Sequence, residues 1–181
     1  MVRPRGGNFF YTQDEFAVMK RDVEFCKRAG VEGVVFGILR SNRTLDVARM
    51  RTLVERAHGL EITMHRTIDE IQRWKQAVDQ LITLGVTRIL TSGGARSVER
   101  GRIRIRAMAA YANGGIEVMP GGGVTFSNAG SLVAIPHINA LHVLSAVSDK
   151  RSTSRSRHFP STSFVVRSER VRRLAALIQT K

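Results

Sequence analysis

The chain has 181 residues, 29 Lys plus Arg against 15 Asp plus Glu, a formal net charge of +14 and a hydrophobic fraction of 43%. That length fits one domain with a sizeable core, and neither a membrane-spanning apolar run nor a signal-peptide pattern is present, so a single soluble, cytoplasmic domain over residues 1–181 with no membrane partner is expected. The one cysteine, Cys26, excludes an internal disulfide and a CxxC metal pair, leaving histidines and oxygens for any metal site.

The elements follow in chain order. "VRPRGG" at 2–7 looks like a cationic glycine loop after a β-strand, although almost no chain precedes it. Thr12 and Glu15 make a capping box, and Phe16, Met19, Val23 and Cys26 follow at helical spacing until Gly30. "GVVFGIL" (33–39) reads as a buried strand, 46–57 as a helix and "LEITMH" (60–65) as a strand. Residues 69–84 are expected to be helical up to Gly85, and "TRILTSGG" (87–94) a strand with a glycine turn. A basic helix over 97–113 leads to the strand and turn "IEVMPGGG" (116–123), a short helix over 127–135 and the strand "ALHVL" (140–144). A basic Ser/Arg-rich loop is expected over 149–167 and a C-terminal helix over 168–181.

Strand centres recur about every 27 residues, the period of a βα unit, and apolar strands joined by helices imply a parallel sheet covered by helices. The expectation is an α/β fold, a TIM-type (β/α) parallel barrel that is incomplete, because eight strands at this period need about 216 residues or more.

In such a barrel the C-terminal strand ends carry the chemistry. Arg3, Arg5, Gly6, Gly7, Arg66, Ser92, Gly93, Gly121, Gly122 and Gly123 would gather there as an anion cradle: glycine turns bring backbone N–H groups close, and arginines neutralise charge. Thr91, Gly94, Ser145 and Ser148 stand at the same rim. His65 with Asp69 reads either as an acid–base pair or as a structural histidine beside a helix-capping carboxylate. His65 and His142 are the candidate metal ligands; Cys26, Met64 and Met119 sit where core residues belong. The positive charge suits a small anionic ligand, and no helix-turn-helix, zinc-finger or RNP pattern points to nucleic acid as a partner despite the +14.

"RPRGGNFFYT", "VVFGIL", "ITMHRTID", "ILTSGG" and "VMPGGGVT", in this order, resemble the CutC family of copper homeostasis proteins. The resemblance implies a TIM-type barrel, cytosolic and often oligomeric, associated with copper tolerance, with a copper ion as ligand and no agreed reaction. It also implies that the chain lacks the first two to three strands of the family, and with them cysteines suited to Cu(I). The family's "MHRAFD"-like stretch reads "MHRTID" here, and "LHVLSA" carries an extra residue of spacing around His142. Three readings stay open: a copper homeostasis protein that binds copper or is coupled to its handling; an enzyme acting on a small phosphorylated or carboxylated substrate; and a fragment that is non-functional or depends on an oligomer. No reaction is assigned.

Overall fold

Thr12 starts the first helix as its sequence requires, its side chain accepting from the Glu15 N–H while the Glu15 carboxylate accepts from the Thr12 N–H. In the computed structural model, which describes residues 1–152 and 162–179, this helix is α1 (Gln13–Arg28), and Phe16, Met19 and Val23 form its buried stripe. There follow β1 (Gly33–Phe36), α2 (Val47–Arg56), β2 (Glu61–Met64), a 3₁₀ turn (Arg66–Glu70), α3 (Trp74–Thr83), β3 (Arg88–Thr91), α4 (Val98–Ala112), β4 (Glu117–Pro120) and α5 (Phe126–Val133). The four strands form one parallel sheet in the order β1-β2-β3-β4.

Alternation along the strands sorts the two faces. Val34, Phe36, Ile62, Met64, Ile89 and Val118 are buried in one core with Met50, Leu53, Leu81 and Met108 of the helices. On the other face Val35, Leu90 and Met119 are only half-buried. Across that face run the register partners Val35, Thr63, Arg88 and Glu117, and Arg88 pairs with the carboxylates of Glu117 and Glu61.

The segment before "RPRGG" does lie where a strand belongs: Val2 is buried and its N–H donates to the Val35 carbonyl of β1 at 2.8 Å. The Leu39 N–H donates to the Phe9 carbonyl at 3.0 Å, tying down the far end of the same loop.

Three expected elements differ. The helix expected over 69–84 is divided, because Ile71 is extended (φ −90°, ψ 122°) and separates the 3₁₀ turn from α3. The strand expected over 140–144 is reduced to a parallel bridge between Gly121 and His142, with the His142 N–H on the Pro120 carbonyl at 2.8 Å. Its Leu141 and Val143 pack instead beside Val147 and Leu174. Where a loop was expected over 149–167, β5 (Ser148–Ser152) and β6 (Thr162–Val166) pair antiparallel, held at the base by Asp149 accepting from Arg167 (2.7 Å) and Arg170 (2.8 Å). The centre of that stretch, 153–161, lies outside the described residues. The expected C-terminal helix is α6 (Ser168–Gln179), whose buried Leu174 joins the core.

Candidate functional site

Asp69 organises the centre of the rim. Its buried carboxylate accepts from Thr91 Oγ1 (2.5 Å), the Ser92 N–H (3.0 Å), the Gly94 N–H (2.8 Å) and Arg66 Nε (2.9 Å), with Ser92 Oγ 2.9 Å away. Burial pushes its pKa up, but the hydrogen bonds from Thr91, Arg66, Ser92 and Gly94 together outweigh burial and hold it below the ordinary aspartate value. The carboxylate therefore fixes the "TSGG" turn. That turn also sits on α4: a Cβ on Gly93 would lie 2.2 Å from the Gly101 carbonyl oxygen, and φ at Gly93 is +75°.

Arg66 is clamped by what Asp69 builds. Besides the Asp69 bond, its Nη2 donates to Ser92 Oγ (2.5 Å) and to the Ala95 carbonyl (3.1 Å). This leaves Nη1, which lies 3.1 Å from where a Cβ on Gly122 would stand; Gly122 has φ +99° and its carbonyl accepts from the Val98 N–H. Nη1 thus faces a glycine turn beside a cavity of about 260 Å³ lined by Arg66, Leu90, Gly122, Gly123, His142 and Phe164, among others. Arg66, Ser92, Gly122 and Gly123 are brought together there, whereas Gly93 turns onto α4 and the N–H groups of Gly93 and Gly121 are spent on Thr91.

The first loop behaves differently. Arg5 directs all five of its N–H groups into the protein: to Glu15 (2.6 Å), the Gly6 and Asn8 carbonyls (3.0 Å each), Asn8 Oδ1 (3.0 Å) and the Phe10 carbonyl (2.7 Å). It fastens Gly6 and Gly7 into their turn and keeps no donor for an anion. Arg3 spends Nη2 on the Gly7 carbonyl (2.7 Å) and lies over the Phe9 ring at 4.8 Å.

His65 is 5% exposed, with the Phe9 ring centroid 5.0 Å away and Gly37 pressed so closely that a Cβ there would lie 2.9 Å from the imidazole Cε1. Its Nδ1 accepts from the Thr67 N–H (3.4 Å), with Thr67 Oγ1 at 2.7 Å, so the ring proton sits on Nε2. Thr67 is one of the two residues, with Ile68, by which "MHRTID" departs from "MHRAFD", and its hydroxyl reinforces that tautomer. Burial, aided by the Arg3 charge, lowers the His65 pKa to about 4, so the ring is neutral at pH 7. His65 turns toward Phe9 and Gly37 while Asp69 turns toward β3, so the expected acid–base pair is not formed. Among the described residues no group of three or more His, Cys, Asp and Glu is placed to hold a metal ion. His142 stands on the bridge to β4, and Cys26 packs half-buried against the core. Sequence reading missed Thr67, since only its neighbours carried an evident chemical signal.

A family model described as the CutC family matches residues 1–147. A family protein CutC of Vibrio atlanticus is 41% identical over 145 residues, covering 79% of this chain and 59% of the relative. One from Agrobacterium fabrum is 40% identical over 142 residues, covering 78% and 57%. The chain thus spans about three-fifths of the length of the curated relatives it matches. A solved structure named for the copper homeostasis protein CutC of Streptococcus agalactiae superposes with a TM-score of 0.74 at 34% identity, over 78% of this chain and 69% of that one. Mandelate oxidase, with a TM-score of 0.55 at 15% identity over 76% of this chain and 49% of its own, shares the fold alone. With the match running from the arginine–glycine loop through the His142 bridge, the chain belongs to the CutC family.

Proposed function

We propose that this chain serves copper homeostasis in the CutC manner by recognising a small phosphate-bearing ligand at its strand ends, and that it does not cage a copper ion in its own side chains. The observation that carries the reading is Arg66: three of its contacts are spent on Asp69, Ser92 and Ala95, so the guanidinium is held rigid with Nη1 beside the Gly122 turn and the adjoining cavity. A pre-positioned arginine beside the Gly122–Gly123 turn suits a phosphate, because little ordering cost remains to be met on binding.

The residues present do not fit copper. Cu(I) favours thiolate, thioether and imidazole. Cys26 is on α1, Met64 is wholly buried with Sδ against Gly37, and the free lone pair of His65 is already occupied by Thr67 while Arg3 adds positive charge beside the ring. His65 is also a weak base whose one lone pair is engaged by Thr67, and no reaction is assigned. The proposal includes a cytoplasmic homo-oligomer in which a second copy covers the half-buried sheet face of Val35, Leu90 and Met119. No helix is long and apolar enough to cross a membrane among the described residues.

Thermal unfolding of the chain with inorganic phosphate, and separately with Cu(I), tests the reading. A hundredfold excess of phosphate over its Kd stabilises by about 2.7 kcal/mol, which for this size raises the midpoint by roughly 5–10 °C. Arg66→Met should fold, because Asp69 keeps Thr91, Ser92 and Gly94, and should lose the shift. A phosphate shift retained in Arg66→Met, or a shift with Cu(I) and none with phosphate, overturns it.

A further inference from the structure

The cavity beside Arg66 is charged at one end only. Arg66 and the Gly122–Gly123 turn form that end, and among the described residues no carboxylate lines the cavity. The rest of its wall is largely apolar: Leu90, Leu144 and Phe164, with the buried Val124. Leu90 comes close to the turn itself, since a Cβ on Gly121 would stand 2.4 Å from its Cδ1. Charge and apolar surface thus meet within one small space.

Phe164 comes from outside the stretch that the family model matches, which ends at residue 147. It stands on β6 opposite Lys150 of β5. The hairpin is anchored at its base, where the Arg167 N–H donates to the carbonyl of the buried Val147 at 2.8 Å and Asp149 pairs with Arg167 and Arg170. The ring is therefore held at the cavity by structure, yet it stays 45% exposed, as does Leu144. Large apolar side chains half in water beside a fixed guanidinium match a ligand with an anionic head and an apolar body, whose binding removes that surface from water. At about 260 Å³ the cavity lies below the ~300–1,000 Å³ typical of sites for drug-sized molecules, which disfavours a nucleotide and suits a single ring or a short chain.

We propose that this site takes the phosphate monoester of a small apolar group, and that Phe164 is the residue that selects for that group. This rests on the phosphate reading of Arg66 and adds the ligand's body to it.

Phenyl phosphate and glycerol phosphate, monoesters with the same head and bodies of opposite polarity, are titrated into the full chain by calorimetry, with inorganic phosphate as a third arm. Phenyl phosphate should bind about tenfold or more tighter than glycerol phosphate. Phe164→Ser should reduce that preference by about fivefold and leave inorganic phosphate unchanged, whereas Arg66→Met should weaken all three. Because the ring is half exposed, Phe164→Ser should fold. Phe164→Leu, which keeps apolar bulk, should retain most of the preference. Equal affinity for the two esters overturns the assignment, and so does a preference that survives in Phe164→Ser, which would leave the ring to a contact between copies. Inorganic phosphate bound without discrimination between the esters sinks the apolar body alone; no binding of any of the three sinks the Arg66 reading with it.

Discussion

His65 shows how far a side chain's environment displaces its expected chemistry. At a strand end beside Arg66 the sequence offers it as ligand, base or structural residue with equal right; burial, the contact with Phe9 and the Arg3 charge decide for a neutral donor. The consequence is a pH dependence of folding. The unfolded ring takes a proton near 6.5 and the folded ring only at about 4, so between these values the unfolded chain binds more protons. His65 stability is therefore complete above about 6.5 and is lost as the pH falls toward 4, by on the order of 3 kcal/mol. Unfolding midpoints measured from pH 7 to 4.5 should fall steeply in the wild type and less in His65→Gln; equal slopes would mean that the ring is not desolvated as drawn. Arg5 makes the same point from the other side. Its position in "RPRGG" was legible, but its role was not, since the acceptors that consume it are mostly backbone carbonyls and no sequence pattern marks them.

Elements were legible where a local rule governs them. The capping box of α1, the apolar stripes of the helices and the four apolar strands all follow from spacing alone. The division of 69–84 was not legible: Asp69 looks like a helix cap, and only the fold brings β3 near enough for Thr91, Ser92 and Gly94 to claim its carboxylate. Gly101 was equally silent, a glycine in the middle of a basic helix, where alanine would ordinarily stabilise by up to about 1 kcal/mol. In the structure a Cβ there would stand 1.8 Å from the Ser92 carbonyl oxygen, a backbone atom that cannot swing aside. The clash outweighs propensity, and Gly101→Ala should destabilise by about 3 kcal/mol in chemical denaturation. It should also weaken phosphate, because displacing Ser92 loosens Arg66. A stabilised Gly101→Ala would show that α4 does not press on the β3 turn.

At the scale of the molecule, two features oppose each other: the apolar inner face and the charge. Val35, Leu90 and Met119 are half-buried on the sheet face away from the helices, and Leu90 continues into Leu144 and Phe164, each 45% exposed, around the cavity beside Arg66. An apolar strip of this kind favours cover by a second copy. The net charge of +14 makes two copies repel, and salt reduces that repulsion as the screening length shortens to about 10 Å at 0.1 M. Self-association of the chain should therefore strengthen with salt, the reverse of the steep weakening that binding to a polyanion such as duplex DNA would show. Sedimentation at low and high salt reads this directly. A monomer at every salt concentration would remove the oligomer, and association that weakens with salt would mean that charge pairing, not the inner face, holds the copies together. The 27-residue rhythm of about one βα unit made the parallel sheet readable. How the inner face is covered was not, because it depends on what meets the edges of the sheet, and local periodicity carries no information about that.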